Sequence, residues 1–233
     1  MHEIQKKIRE LQDPQKKLIL QRFFKTGHGE YAEGDLFLGV TVPQIRWIVR
    51  DCKERLVKAL VPILKSDYHE ERMAALLSLV AIYKKGDEKE RKDIFEIYKS
   101  HTKYINNWDL IDLTAEHIIG DYLKDKPKTL LTEFARSSSL WERRIAILST
   151  FKYIKSGSYD ETFRIAKILL NDKEDLIHKG VGWMLREVGK RCSQKAEEEF
   201  LQRHYKNMPR TMLRYAIERF EESLRKRYLA GTI

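Results

Sequence analysis

The sequence predicts an all-α fold, an α-α superhelix in which antiparallel helix pairs stack in chain order. Of its 233 residues only 11 are glycine and 5 are proline, the two residues that most often interrupt helices. Apolar residues recur at helical spacing along most of the chain. A weak internal repeat of roughly 36 residues is typical of paired-helix solenoids. We expect a single domain over residues 1–233.

The N-terminal part predicts two helices and then a long loop. An amphipathic helix opens at Ile4, Pro14 divides it, and a second helix runs from about Gln15 to Lys25. The segment 27–42 holds four glycines and two aromatic residues, a composition that favours an ordered functional loop over a linker. Pro43 suits the first turn of the following helix.

From about Leu56 onward the chain predicts helices of about 10 to 20 residues with short connections. No low-complexity linker or domain boundary interrupts this part. The turn signals between the helices are Ser66-Asp67, Gly86-Asp87, Asn106-Asn107, Lys126-Pro127, Ser137 to Ser139, Gly157, Asn171-Asp172 and Asn207 to Pro209.

The repeat suggests how distant residues meet. Residues 69–76 resemble residues 141–148, and residues 176–183 fit the same register less well. The equivalent positions would be Arg72, Trp108, Arg144, Lys179 and Arg214, on one face of successive inner helices, and the positions one turn later would be Leu76, Asp112, Leu148, Trp183 and Glu218. Stacking would then gather Trp108, Asp112, Arg144 and Trp183 on one concave surface.

Composition and motifs exclude several classes of protein. The net charge of +10 indicates either a phosphate-rich partner or a lysine-rich surface that only aids solubility. Cys52 and Cys192 lack metal-type spacing, so we expect reduced thiols in a cytoplasmic protein. No signal-peptide core or bilayer-length apolar run is present. Since His69-Glu70 lacks a second histidine four residues on, and no Walker loop or nucleophile elbow occurs, we expect no metal and no cofactor.

The segment 175–191 carries the strongest functional signal. Trp183 has Lys179 one turn before it and Arg186 about one turn after it, an unusual setting for a core tryptophan. Gly180 and Gly182 cost a helix about 1 kcal/mol each relative to alanine, so we expect a ligand to approach the ring closely. Cations beside an aromatic ring favour nucleic acid, with phosphates on the cations and a base or sugar on the ring.

Other candidate residues allow two interpretations each. Trp108 and Asp112 are spaced i, i+4, either as a core tryptophan with a surface aspartate or as a ring and carboxylate for a cationic ligand. The planar fork of Arg144 matches phosphate oxygens, or it pairs with a neighbouring glutamate. Arg210 and Arg214 either face phosphates or cap their helix.

Together, five segments resemble the DNA alkylation repair family of alkylpurine DNA glycosylases, proteins built from HEAT-like helical repeats. The likeness covers nearly the whole chain, and the order and spacing of the segments make it more specific than any one of them. The segments are Gly29 to Val40, Asn107 to Asp112, Leu140 to Arg144, Asp175 to Arg191 and Met208 to Ile217.

The resemblance implies roles for particular residues. Asp112 matches the catalytic carboxylate, Trp108 and Trp183 match the aromatic pair at the lesion, and Arg144 matches an arginine at the DNA backbone. Tyr31 and Arg186 match a further aromatic and a further basic contact. We expect additional DNA contacts from basic residues in the same segments, Arg143, Lys179, Arg210 and Arg214.

The implied activity is monofunctional N-glycosylase chemistry in base-excision repair of double-stranded DNA. Alkylation at purine N3 or N7 makes the base cationic, so the base leaves readily and positive charge develops on the sugar. A fixed carboxylate stabilises that charge, and a tryptophan face favours a cationic nucleotide. We expect a monomer in a bacterial-type cytoplasm, associated with the nucleoid when on DNA. The alternatives are a non-catalytic protein that binds damaged or branched DNA, and a protein–protein scaffold.

Salt dependence separates the DNA-binding interpretations from the scaffold. Fluorescence anisotropy with a labelled duplex should show affinity falling steeply with salt, with a log–log slope of about −0.9 per neutralised phosphate. A scaffold would bind the duplex weakly, with no such slope.

Overall fold

The computed structural model describes residues 2–52 and 56–233, and these residues are helical with connecting turns. They form two compact units, Met1–Thr114 and Ala115–Ile233. Strand-like pairing among the described residues is limited to one parallel bridge between Leu36 and Tyr68. The predicted all-α fold is confirmed, while the single-domain boundary stays a prediction.

The first unit contains seven α-helices among its described residues, numbered in chain order. They are α1 (Glu3–Glu10), α2 (Pro14–Phe23), α3 (Val42–Asp51), α4 (Val57–Leu64), α5 (His69–Lys85), α6 (Glu88–Ser100) and α7 (Trp108–Asp112), with a 3-10 turn at Thr102–Tyr104 before α7.

The second unit begins with a π-helical turn, Glu116–Gly120. It continues with α8 (Thr129–Ala135), α9 (Leu140–Ser149), α10 (Phe151–Ile154), α11 (Asp160–Leu169), α12 (Asp175–Arg191), α13 (Gln194–His204), α14 (Arg210–Ala216) and α15 (Glu222–Ala230), with 3-10 turns at Tyr205–Asn207 and Ile217–Arg219.

Side-chain caps explain where several helices start. Asp13 accepts hydrogen bonds from the first backbone N–H groups of α2, and Asp87 does the same for α6. Ser139 caps α9 and Ser193 caps α13 in the same way. Each cap satisfies a backbone donor that lacks a partner inside its own helix. The predicted turns therefore lie between helices.

The predicted N-terminal boundaries are close to the observed ones. Pro14 stands in the first turn of α2 and Pro43 in the first turn of α3. α2 ends at Phe23 rather than at Lys25, because Lys25 has a φ of +54°, in the left-handed region that a right-handed helix cannot include. Gly39 has a φ of +86°, and a Cβ there would lie 2.2 Å from the backbone oxygen of Asp13, so only glycine fits.

The core of the first unit surrounds α5. This helix packs against α1, α3, α4 and α6, and its residues from His69 to Val80 are all buried. Its apolar part fills the core in the ordinary way. Its first turn is polar and equally buried, which makes that turn the point where several segments of the unit are fixed.

The core of the second unit surrounds α12, which packs against α9, α11, α13 and α14. Its two glycines serve these contacts. A Cβ on Gly182 would lie 2.4 Å from the backbone oxygen of Met212 in α14, and a Cβ on Gly180 would lie 3.2 Å from the Leu148 side chain in α9. The expectation that these glycines admit a ligand to Trp183 is wrong, because neighbouring helices occupy the space.

The five repeat positions do not share one environment. Arg72 and Arg144 are buried, whereas Lys179 is half-buried and Arg214 is exposed. Trp108 is the first residue of α7, whereas Arg144 is the fifth residue of α9. The repeat therefore describes the spacing of helices better than the face that each side chain presents.

Among the helices of residues 2–52 and 56–233, none combines the length and the apolar character needed to cross a bilayer.

The glycine contacts in α12 make a matched test. Gly182→Ala should lower the free energy of unfolding by about 1–3 kcal/mol, because the new methyl group meets backbone atoms that cannot yield. Gly180→Ala should change it by less than about 1 kcal/mol, because flexible side chains can move and alanine favours the helix. Urea unfolding measures both, and equal destabilisation would contradict this account of the packing.

Candidate functional site

Trp108 and Asp112 lie at the two ends of α7. The side chain of Asn107 caps this helix, with its Oδ1 accepting the N–H of Trp108 at 2.8 Å. Both Trp108 and Asp112 are half-buried. Because four residues separate them on a helix, they share one face. The tryptophan is thus neither a sealed core residue nor fully exposed, and a carboxylate lies one turn away.

The indole of Trp108 belongs to an aromatic cluster. It stacks on Phe24 with ring centroids 5.3 Å apart and meets Phe23 edge-on at 5.9 Å. Phe24 is buried, whereas Phe23 is 60% exposed. Aromatic pairs at these separations are favourable, so the ring is held in place. Sequence reasoning missed both phenylalanines, although two adjacent aromatic residues at a helix end were a visible signal.

A buried charge network lies beside α7. Asp109, the residue after Trp108, receives a hydrogen bond from His69 Nε2 at 2.9 Å. Nδ1 of the same ring lies 3.2 Å from Asp35, and Arg72 donates to the other oxygen of Asp35 at 2.5 Å. All four residues are buried. The network therefore links the loop, α5 and α7 of the first unit.

The two carboxylates hold His69 in its charged form. Burial acts against the charge, but the facing carboxylates of Asp109 and Asp35 outweigh it and raise the pKa of His69 to about 9. Burial likewise opposes ionisation of Asp35, yet His69 and Arg72 lower the pKa of that carboxyl below its ordinary value. Two cations and two anions then balance within this network, which offsets part of the cost of burying them.

Glu70 fixes the loop that precedes α3. Its buried carboxylate accepts backbone N–H groups of Leu38, Gly39 and Val40 at 2.8 to 3.2 Å. The loop is therefore ordered, as its composition predicted. Tyr31 lies in the same segment, half-buried, with the Lys25 ammonium 6.0 Å from its ring centroid.

Trp183 lies on α12 in the second unit and is half-buried. Its ring centroid is 5.8 Å from that of Phe151, and the Lys155 ammonium and the Arg191 guanidinium lie 4.2 Å and 5.3 Å from the Phe151 ring. Sequence reasoning missed Phe151, because this residue lies on α10 and meets Trp183 only through the packing of α10 against α12. The two cations lie at the Phe151 ring and are not the predicted Lys179 and Arg186, so the ligand-binding role of Trp183 stays a prediction.

The two cations predicted to flank Trp183 have acidic partners. Lys179 pairs with Asp175 at 2.7 Å, and this lowers the pKa of Asp175. Arg186 pairs with Glu218 of the 3-10 turn after α14. Both carboxylates are 58% exposed, whereas the side chains of Lys179 and Arg186 are 41% and 18% exposed. The pair of Lys179 with Asp175 is thus a surface ion pair, which contributes about 0–1 kcal/mol.

Arg143 and Arg144 hold the segment that leads into α12. Arg144 is 4% exposed and donates from Nη1 to the Leu176 carbonyl oxygen in the first turn of α12. Arg143 pairs through Nε with Asp172 at 2.7 Å and donates from Nη1 to the Ser138 carbonyl at 2.8 Å. Both arginines thus have structural contacts inside the unit, and their DNA contacts stay predictions.

The last predicted contacts lie on α14. Arg210 and Arg214 are both exposed, and Arg210 donates from Nη1 to the Leu229 carbonyl oxygen at 2.6 Å. Trp108, Asp112 and Tyr31 belong to the first unit and the other candidate residues to the second. The predicted meeting of Trp108 and Asp112 with Arg144 and Trp183 on one surface stays a prediction.

The chain matches a protein family and a solved structure. The family model described as DNA alkylation repair enzyme matches residues 4–220. A solved structure from Enterococcus faecalis, described as a predicted DNA alkylation repair enzyme, has a TM-score of 0.72 at 15% sequence identity, over 91% of this chain and 97% of that one. No curated protein matches the sequence significantly. The structural likeness shows the fold, and the family match covers most of the chain.

The contacts of Glu70 predict a large effect from a small change. Glu70→Gln replaces one acceptor oxygen by an amide that cannot accept, so it should cost about 1–3 kcal/mol and speed amide hydrogen exchange at Leu38 to Val40. Glu33→Gln is the matched control, because Glu33 also accepts a loop N–H but is exposed. Similar exchange rates in the two variants would refute the role of Glu70.

Proposed function

Because the chain belongs to the DNA alkylation repair enzyme family, we propose that it is a monofunctional DNA glycosylase. Its substrates would be purines alkylated at N3 or N7 in duplex DNA, and its reaction hydrolysis of the N-glycosidic bond. The observation that supports this proposal most directly is the pairing of Trp108 and Asp112 on one face of α7. A half-buried ring and a carboxylate one turn apart suit a cationic ligand.

The chemistry needs little from the protein at the base. Alkylation places a formal positive charge on the purine, so the C1′–N bond breaks with its electron pair returning to the base as a neutral product. Positive charge then develops on the deoxyribose ring. Asp112 would stabilise that charge and orient a water molecule, which adds to C1′ and loses a proton. Since the leaving group is already cationic, no general acid is required.

The aromatic residues would provide selectivity for the charged base. The face of Trp108 attracts a cation through its ring quadrupole. The stack on Phe24 holds the indole in position when no ligand is bound. Trp183 would supply a second aromatic surface, supported by Phe151. A neutral purine would gain the stacking contact without the electrostatic part, and so would bind less well.

Basic residues would hold the DNA backbone. Lys179, Arg186, Arg210 and Arg214 are the proposed phosphate contacts of α12 and α14, and Arg143 and Tyr31 are proposed contacts outside these helices. Arg144 is a further proposed phosphate contact. The net charge of +10 would favour a monomer that binds DNA along a cationic surface.

Asp112→Asn is the decisive variant for catalysis. It should reduce single-turnover release of 3-methyladenine or 7-methylguanine by at least about 100-fold, because the neutral amide cannot stabilise the sugar cation. Mass spectrometry of free base measures release, and anisotropy with the same duplex should show affinity within about threefold of the parent. Asp93→Asn, an exposed aspartate on α6, is the control and should keep full activity.

The outcomes separate the alternatives. Full activity of Asp112→Asn would reject the catalytic role of this carboxylate. DNA binding without any base release by the parent protein would instead favour the non-catalytic binding protein.

A tryptophan comparison tests selectivity. Trp108→Leu should reduce release of cationic methylpurines by about 2- to 30-fold, which corresponds to the roughly 0.5–2 kcal/mol of a cation–π contact. Trp47→Leu is the control, because Trp47 is 52% exposed on α3 and has no role in the proposed reaction. An equal loss in both variants, measured as free base released per minute, would contradict a specific role for Trp108.

A further inference from the structure

His69 is the central residue of the buried charge network in the first unit. Its imidazole is 2% exposed and contacts two carboxylates at once, Asp35 through Nδ1 and Asp109 through Nε2. Asp109 also accepts its neighbour's backbone N–H, that of Leu110, through its other oxygen at 2.8 Å. The imidazole therefore binds α7 through the side chain of Asp109, which is also hydrogen-bonded to the backbone of that helix.

A second route joins His69 to the same helix. Its ring stacks on Phe37 with centroids 4.5 Å apart and lies 5.1 Å from Phe24. Phe24 in turn stacks on the indole of Trp108. The histidine thus supports Trp108 through an aromatic contact and supports the residue after Trp108 through a hydrogen bond.

We infer that His69 is a positioning residue, whose imidazolium holds α7 so that Trp108 and Asp112 are correctly placed for the proposed glycosylase reaction. The inference depends on the proposed function for its catalytic consequence, whereas the placement of Trp108 can be measured without any activity. His69 acts through Asp109 and Phe24, which it contacts directly.

The charge state of the ring decides whether it can do this. An imidazolium donates a hydrogen bond from each nitrogen, whereas a neutral imidazole donates from one and turns a lone pair to the other carboxylate. The charged groups around the ring are Asp35 from the loop, Asp109 from α7 and Arg72, which lies behind Asp35 on the helix that carries His69. Loss of the proton would leave one negative charge in excess.

The short length of α7 makes it sensitive to this loss. Five residues are too few for a helix to persist without support from its surroundings. Loss of the bond between Nε2 and Asp109 removes one of the supports of this helix, whereas its Asn107 cap is kept. We expect Trp108 and Asp112 to shift together, since both are on the turn that Asp109 anchors.

The pH dependence follows from the raised pKa. The pKa of His69 is about 9 in the folded chain, above the usual value of about 6.5, so its contribution to stability is complete below about pH 6.5 and disappears as pH rises through about 9. Activity of the wild type should follow the protonated fraction of His69, with a plateau at neutral pH and a decline centred near pH 9.

The activity test compares the wild type with His69→Gln. Single-turnover release of methylpurine, corrected for enzyme-free release at each pH, should show the alkaline decline in the wild type. His69→Gln should be at least about tenfold slower at pH 7.5 and should show no decline near pH 9, because glutamine does not titrate. Tyrosines and lysines titrate alike in both proteins, so a decline of the same size in the variant would overturn the inference.

A variant pair separates positioning from general loss of stability. Asp109→Asn removes the negative charge that faces His69 and leaves one acceptor oxygen for two donors, His69 Nε2–H and the Leu110 N–H. The double variant changes both partners. If His69 acts through Asp109, the double variant should be no slower than the slower single variant. Multiplying losses would show that the two residues act independently and would overturn the proposed route.

The Trp108 indole N–H resonance provides a readout that needs no activity. Trp108→Phe identifies this signal in a nitrogen–proton spectrum of the full chain. In the wild type the signal should move with a midpoint near pH 9, and in His69→Gln it should stay fixed. A wild-type signal that does not move between pH 7.5 and 10 would overturn the inference, even if His69→Gln failed to fold. Absence of base release from the wild type at every pH would reject the glycosylase proposal alone.

Discussion

The first turn of α5 is the constraint on which the first unit depends. Its four residues, from His69 to Arg72, are all polar and all buried. Each binds a different part of the chain: His69 binds α7, Glu70 the loop before α3, Glu71 residues of α1, and Arg72 Asp35. An unpaired buried charge costs several kcal/mol, so these segments cannot move away without exposing one.

This arrangement explains how a five-residue helix can carry candidate catalytic residues. α7 has little stability of its own, yet its Asp109 is anchored in the charge network and its Trp108 is stacked on a buried ring. A functional group is effective only where its position is fixed, and here the support comes from residues behind the site. The candidate site and the fold of the first unit are therefore stabilised by the same contacts.

The second unit relies on close packing of backbones instead. Glycines let α12 approach its neighbours, and Gly189 likewise leaves room for the buried side chain of Glu197 in α13. Its ion pairs on α12 have acidic partners, Asp175 and Glu218, that are exposed. The two units thus differ in chemistry. The first unit holds a carboxylate and an aromatic ring in position, and the second has cations beside an aromatic ring.

The helical fold, most turn positions and the placement of Trp108 and Asp112 on one helix face could be predicted from the order of the amino acids, because periodicity, caps and i, i+4 spacing are local properties. Only the tertiary structure shows that His69 and Glu70 are buried, that Gly182 allows α14 to pack closely on α12, and that Phe24 stacks on Trp108. Contacts between residues far apart in the chain decide these features, and a charged residue in a helical sequence is ordinarily expected at the surface. The amino-acid sequence alone does not distinguish a polar helical turn that faces the core from one that faces solvent.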